Sequence, residues 1–388
     1  MNNYIIFVDS RGVIASNLDT FQRHKHYVAE YNKRLTKESN EQVIFQIISG
    51  IDQPPSETRR ENNFQLHCIG TGPRFSLKYI LRAYSVLRSN RESIRGFICG
   101  DPWETFWTSY ILRMALRNKA EIQVNIHADV FDSAWVSQSL TNRFRKALLT
   151  IAIKKASNFR VVSLDVKREI ESRNPRSHVI YAPIPIMNMR NIVQRKNLGD
   201  GVRTIGWIGR IAEDRGIRIF VEFLFRLNSA GTDFKVLIAG TGPLQSYLEE
   251  RLRNFLNNKR VCFLGQVSQP ELQNVYGKID VLVSCAKSES YGLSIRESLL
   301  FGTPVWAVQS KGVIKLQSEI GHEFVRILDL KSSDENLKRD FDDICRTIVP
   351  ANIGDSLQTV SQMNLDALFD SWDMMNNFGK WKVQKNYD

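Results

Sequence analysis

The stretch from Ile279 to Val308 reads IDVLVSCAKSESYGLSIRESLLFGTPVWAV, and its punctuation decides the fold. The apolar run Ile279 to Ala286 predicts a strand, Glu289-Ser-Tyr-Gly292 a turn, and Leu293 to about Phe301 a helix, after which Val305 to Val308 predicts a second strand. Gly292 allows close backbone approach at the helix start, Gly302 fits the position past a helix end, and Pro304 opens a strand where its missing N–H matters least. Strand, helix and strand in succession make a β-α-β unit, and such units build parallel sheets.

The same alternation extends in both directions. Strand candidates before the middle of the chain are Tyr4 to Val8, Val43 to Ile48, Phe64 to Ile69, Gly96 to Cys99, Ile122 to Ile126, Phe159 to Ser163 and His178 to Ala182. Beyond it they are Thr204 to Ile208, Phe234 to Ala239, Val261 to Leu264, Val281 to Ser284 and Val305 to Val308. A polar stretch from Met187 to Val202 has little apolar periodicity and reads as a linker. The expected division is residues 1–186, a linker at 187–202, and a second domain at 203–365.

A chain of 388 residues that is 43% hydrophobic and 24% charged has room for two ordinary globular cores. The longest apolar stretches, such as Ala147 to Ile153, fall far short of a membrane span, and Tyr4 to Val8 is only strand-length before Asp9 and Arg11, which predicts no leader peptide. A cytoplasmic protein is expected. The five cysteines are scattered and mostly lie in apolar runs, so buried thiols are expected rather than a disulfide framework or a metal knuckle. Lys and Arg number 53 against 41 Asp and Glu, and the formal net charge of +12 favours anionic partners.

Three clusters carry chemistry. In the first, Glu289 in a loop at a strand's carboxyl end can accept hydrogen bonds from a polyol, and Glu297 in the following helix can take a second diol. The amides of Tyr291, Gly292 and Leu293 lie at that helix's N-terminus, where a phosphate is attracted. The second cluster is Gly206-Trp-Ile-Gly209-Arg210-Ile-Ala-Glu-Asp-Arg215-Gly216, whose two arginines can neutralise a diphosphate and stabilise it as a leaving group. The third, Ala239-Gly240-Thr-Gly242-Pro243, is a tight turn after a strand. It lacks the third glycine of the dinucleotide fingerprint, so a nicotinamide site is weakly supported.

In this order the clusters resemble the C-terminal domain of family 4 glycosyltransferases, over about residues 204 to 308. Matching phrases are Gly209-Arg210 with Arg215-Gly216, Gly240-Thr-Gly242-Pro243, Leu264-Gly265-Gln-Val267, and Glu289-Ser-Tyr-Gly292-Leu293 through Glu297 to Phe301-Gly302-Thr-Pro304-Val305. The resemblance implies an α/β chain of GT-B type, with two facing Rossmann-like domains of parallel sheets, an interdomain cleft, and retaining transfer of a sugar from a nucleotide-diphosphate sugar to an acceptor hydroxyl. It implies that Arg210 and Arg215 hold the diphosphate, with arginine at 215 in place of the usual lysine. It gives Glu289 the donor-sugar hydroxyls, Glu297 the ribose diol, the Tyr291 to Leu293 backbone the sugar and phosphate, and the region of Val267 the base. In the first half, Val124-Asn-Ile-His127-Ala-Asp129 resembles the family's strand-end histidine, so His127 would face the donor sugar. The family's glycine-rich loop after the first strand is reduced to Ser10-Arg11-Gly12. The segment from about Asp366 to Asp388 would return to the first domain, in line with the amphipathic pattern of Leu365, Leu368, Phe369 and Trp372.

No metal or other cofactor is expected, because two arginines and a helix N-terminus can supply the positive potential. Asp340-Phe-Asp342-Asp343 and the pair His24 and His26 read as solvated helix faces. The stretch Arg143 to Arg160, with six cations around Leu148 to Ile153, reads as a basic surface helix or as a contact for an anionic membrane surface, such as the inner face of the cytoplasmic membrane. Acceptors of the implied reaction would be glycan, lipid-linked or small molecules, as in glycan, polysaccharide or glycolipid synthesis. Two other classes stay open, a non-catalytic nucleotide-sugar or glycan-binding protein and a basic nucleic-acid-binding protein. No nucleic-acid partner is expected, since no zinc spacing, aromatic platform or basic arm accompanies the charge.

Overall fold

The structure, a computed structural model, describes residues 3–52, 63–71, 76–137, 139–186 and 201–376. The chain divides into two compact units, Met1–Pro183 with Met363–Asp388, and Ile184–Gln362. The expected linker at 187–202 lies outside the described residues except for Gly201 and Val202, as does the tail beyond 376.

The first unit contains β1 (Asn3–Asp9), α1 (Val13–Ser16), α2 (Leu18–Ser39), β2 (Val43–Ser49), β3 (Phe64–Cys68), α3 (Leu77–Leu87), β4 (Ile94–Cys99), α4 (Glu104–Ala115), β5 (Glu121–Ile126), α5 (Ser133–Ser137), α6 (Leu140–Lys155), β6 (Asn158–Val161), α7 (Leu164–Arg173) and β7 (His178–Tyr181). Its strands pair in parallel in the order β3-β2-β1-β4-β5-β6-β7. The strand order reverses between β1 and β4, and the crevice beyond the carboxyl ends of strands at such a reversal is where ligands bind in open α/β sheets.

The second unit contains β8 (Arg203–Ile208), α8 (Ile217–Ser229), β9 (Phe234–Ala239), α9 (Gln245–Arg251), α10 (Arg253–Asn257), β10 (Val261–Gly265), α11 (Gln269–Tyr276), β11 (Val281–Ser284), α12 (Leu293–Leu300), β12 (Val305–Ala307), α13 (Lys311–Ile320), β13 (Val325–Ile327), α14 (Asp334–Arg346) and the start of α15 (Ala351–Asn376). The sheet is again parallel, ordered β10-β9-β8-β11-β12-β13, with its reversal between β8 and β11.

Each sheet is buried on both faces, which is why its strands read as near-continuous apolar runs. One core gathers Ile6, Phe97, Val124 and Phe159 under α3, α4 and α6, and another gathers Ile205, Val236, Val281 and Trp306 under α8 and α14. Ile279 and Ala286 flank β11 without joining it. β13 escapes a sequence reading because it is three residues long with Arg326 at its centre. Three thiols, Cys99, Cys285 and Cys345, are buried as expected, but Cys262 on edge strand β10 is exposed.

The end of α15 completes the first unit. Trp372 lies 4.8 Å from Phe45 and 5.2 Å from Tyr31, centroid to centroid, and Met375 fills the space that a side chain at Gly96 would take. The Tyr31 hydroxyl donates to Asp373 at 2.7 Å, and Arg34 reaches both Asp370 and Asp373 at 3.0 Å. Trp372→Ala should therefore cost about 3–5 kcal/mol of stability to unfolding, to be measured by chemical denaturation. A cost near zero would mean that this helix end is only laid on the surface.

Candidate functional site

The site residues of the second unit sit where β8, β9 and β11 end. The loops after β8 and β9 touch backbone to backbone: the Gly209 amide donates to the Ala239 carbonyl at 2.9 Å and the Ile211 amide to the Thr241 carbonyl at 2.9 Å. Gly240 has φ +134°, and a Cβ there would fall 2.0 Å from the Gly209 oxygen, while a Cβ at Gly242 would fall 2.2 Å from the Ile211 oxygen. Both glycines are thus required by the packing of the two loops. Gly209 differs, since a Cβ there would meet open space.

From Gly209 a chain of alternating charges leads to the N-terminus of α12. Arg210 pairs with Asp214 at 2.7 Å, Asp214 lies 4.0 Å from Arg215, and Arg215 pairs with Glu289 at 3.0 Å. The other Glu289 oxygen accepts the Gly292 amide at 3.0 Å. Arg210 and Arg215 remain largely exposed, at 59% and 46%, whereas Glu289 is 13% exposed. The Gly292 amide is therefore not free, as a bare helix N-terminus would leave it, because the Glu289 carboxylate caps it. Gly216 brings the short turn carrying Arg215 against the Cys285 carbonyl, where a Cβ would fall 2.0 Å away.

Glu297 occupies a different environment on the second turn of α12. It is buried at 4% exposure and accepts a 2.9 Å hydrogen bond from the Tyr276 hydroxyl, which is held in turn by stacking on Phe301. Tyr291 is buried with the Arg296 guanidinium over its ring, and Leu293 and Val267 are half-buried at the start of α12 and in the loop after β10. The sequence thus finds Gly209, Arg210, Arg215, Gly240, Gly242, Glu289, Tyr291, Gly292 and Leu293 around the carboxyl ends of three adjoining strands. It overlooks Asp214, which its spacing of four from Arg210 offers, and Tyr276, which no local spacing ties to Glu297.

His127 lies in the first unit, just past β5, exposed to solvent. Crowding by surrounding protein, and then the positive charges of Arg160, His24 and Arg23, hold its pKa well below the ordinary range although part of the ring stays open. Arg160 is no surface cation: it is buried and donates to the Ala182 and Pro183 carbonyls. His24 likewise departs from a solvated face, because its ring meets Phe7 edge-on at 5.3 Å and bonds the Thr20 carbonyl.

At the reversal point of that sheet, Ser10 donates to Glu104 at 2.9 Å and Arg11 pairs with Asp101, so charged side chains occupy the reduced glycine loop. Beneath them Asp9 accepts the amides of Ile14 and Ala15 and the Ser49 hydroxyl. Burial outweighs these bonds and pushes its carboxyl up to about 6. Among the described residues no group of three or more His, Cys, Asp or Glu is placed to hold a metal ion, and no helix is long and apolar enough to cross a membrane.

The two parallel-sheet units are Rossmann-like domains, and the fold is that of GT-B glycosyltransferases. Sucrose-phosphate synthase from Thermosynechococcus elongatus superposes with a TM-score of 0.64 at 16% identity, over 96% of each chain. Anabaena Alr3699/HepE, solved in complex with UDP and glucose, gives 0.62 at 16% identity, over 97% of this chain and 99% of that one. Residues 188–342 match the family model of glycosyl transferases group 1. The chain is 35% identical over 108 residues to the 2-deoxystreptamine glucosyltransferase of Streptomyces kanamyceticus, which is 28% of either chain. It is 28% identical over 120 residues to the alpha-monoglucosyldiacylglycerol synthase of Streptococcus pneumoniae, 31% of this chain and 27% of the relative. The alignment thus spans little more than a quarter of the length of these relatives.

Two stability experiments test the local geometry. Gly240→Ala should lose the about 1–3 kcal/mol of a strained backbone plus the cost of the clash with Gly209, whereas Gly209→Ala should show the strain alone; equal denaturation midpoints would refute the close approach. Asp9 has a folded pKa of about 6, above the unfolded value of about 3.9, so its contribution is present at low pH and lost as pH rises through 6. The stability advantage of wild type over Asp9→Asn should fall by up to about 3 kcal/mol between about pH 4 and pH 7, read from urea titrations at each pH. A pH-independent difference would contradict it.

Proposed function

We propose that the chain is a retaining glycosyltransferase of family 4 that moves a sugar from a nucleotide-diphosphate sugar to an acceptor hydroxyl without a metal ion. The observation that carries this reading is the charge chain from Arg210 through Asp214, Arg215 and Glu289 to the Gly292 amide, set within the stretch that matches group 1 glycosyl transferases.

In this reading the exposed guanidiniums of Arg210 and Arg215 receive the diphosphate. Two fixed cations at a leaving group favour the charge that builds as the glycosidic bond breaks, and their present carboxylate partners keep them aimed before the donor arrives. Glu289 retains acceptor capacity on both oxygens after bonding Arg215 and Gly292, so sugar hydroxyls can donate to it. Glu297, with one oxygen fixed by Tyr276, presents a carboxylate of set orientation to a ribose diol. Gly240 and Gly242 hold the loops low, the open space beside Gly209 leaves room for the diphosphate to approach, and the region of Val267 borders the base. The acceptor attacks on the face the diphosphate leaves, the departing phosphate takes the hydroxyl proton, and His127, kept neutral, offers the donor sugar a hydrogen-bonding ring. The acceptor is a glycan, a lipid-linked sugar or a small polyol, as in glycan, polysaccharide or glycolipid synthesis, and the chain works in the cytoplasm. A nucleotide-sugar-binding protein without turnover is the second reading, favoured by Arg11 and Asp101 filling the loop after β1.

Thermal shifts with UDP, GDP, ADP, CDP and dTDP, each with EDTA, test this on wild type, Arg210→Ala and Glu297→Gln. A ligand at a hundred times its Kd adds about 2.7 kcal/mol, so one diphosphate should stabilise wild type, survive EDTA, and lose most of its effect in both variants. NMR of the product should show the donor's anomeric configuration. Binding without turnover across an acceptor panel would select the second reading, and an inverted product would discard the mechanism.

A further inference from the structure

The first unit carries an apolar and basic face that no part of the proposed chemistry uses. Helices α3, α4 and α6 follow the crossovers from β3 to β4, β4 to β5 and β5 to β6, which all run the same way across the sheet. Right-handed connections therefore place all three on one face of it. They adjoin: α3 packs beside α4, the Trp103 indole donates to the Arg145 carbonyl at 2.7 Å, and Lys155 lies over the Tyr110 ring.

Their outer surface is the reverse of an ordinary soluble helix layer. On α6 the exposed positions Leu140, Phe144, Ala147, Ile151 and Lys154 recur at helical spacing, and Leu140 and Phe144 stand 79% and 64% exposed. Leu77 and Leu81 form the same one-turn stripe on α3, and Ile111 and Met114 extend it on α4. Seven of the fifteen exposed large apolar side chains of the described residues lie on these three helices. The same helices hold eight Lys and Arg and one carboxylate, Glu104, which faces Ser10. More than half of the chain's net charge of +12 therefore resides in them.

We infer that this face of the first unit is a docking surface for an anionic lipid bilayer, with the stripes of α3, α4 and α6 entering the headgroup region and the flanking cations meeting lipid phosphates. Charge complementarity selects an anionic partner, and the exposed Leu, Phe, Ile and Met select one with a hydrocarbon interior. A nucleic acid would use the cations but gains nothing from the aliphatic stripe. An amphipathic helix with cations beside its apolar stripe lies in the plane of the membrane interface, and electrostatic and apolar contributions reinforce each other there. The sequence alone extended the basic surface to Arg160; the structure ends it at Lys155 and widens it across two further helices.

Co-sedimentation of the full chain with vesicles of phosphatidylglycerol in phosphatidylcholine, against phosphatidylcholine alone, tests the inference at low and physiological ionic strength. It needs no turnover, so its outcome is independent of the transferase reading. Wild type should bind the anionic vesicles and leave the neutral ones. Each neutralised cation should cost about fivefold in partition, so Arg143→Gln with Lys154→Gln should bind about 25-fold more weakly. Phe144→Glu with Ile151→Glu, both solvent-exposed changes that should leave the denaturation midpoint in place, should also abolish binding. Failure of wild type to bind at low salt would overturn the inference. So would vesicle binding unchanged by Phe144→Glu with Ile151→Glu, which would reduce the surface to a polyanion site of the kind RNA fills. A wild-type dimer that the same pair converts to monomer, with no vesicle binding, would assign the face to a second copy of the chain and overturn it equally.

Discussion

The contact on which the candidate site depends is the one between the loops after β8 and β9, where a missing side chain at Gly240 lets one backbone rest on the Gly209 carbonyl. That contact sets the height of the loop bearing Arg210, and a second close approach, of Gly216 to the Cys285 carbonyl, sets the turn bearing Arg215 against the end of β11. With both turns lowered onto the sheet, Arg215 meets Glu289, and Glu289 can reach the amide of Gly292, the residue before α12. Oppositely charged groups that are largely exposed contribute little to stability by themselves. Their value here is geometric, since each fixes the direction of the next.

The two glutamates of the site show how environment separates identical side chains. Glu289, with its side chain 13% exposed, is shared between the Arg215 guanidinium, itself largely open to solvent, and the Gly292 amide. Glu297 is buried, and its bond from Tyr276 ties its direction to the Tyr276–Phe301 stack.

Most of the fold was legible because strands buried on both faces appear as apolar runs and because glycine and proline mark their ends. β13 was not, since a three-residue edge strand holds its place by pairing with β12 and not by its own pattern. At the site, residues bound to one turn could be found from spacing: Arg210, Arg215, Glu289 and Gly292 lie within short reach of a strand end. Tyr276 could not, because its hydroxyl meets Glu297 across a helix, a strand and a loop. Arg160 was misread for a related reason. A cation in a basic stretch looks solvated until the Ala182 and Pro183 carbonyls that bury it are brought alongside by β7.

Completion of the first unit by the far end of α15 also fixes an order of events during synthesis. Residues 184–362 form one contiguous unit, whereas the first unit lacks Trp372 and Met375 until nearly two hundred further residues have been added. At about 5–20 residues per second that is a wait of roughly 10–40 seconds, during which Phe45 and Tyr31 lack their cover. The half of the chain made first is thus the half finished last, and a ribosome that stalls between the two leaves an apolar sheet face open to chaperones.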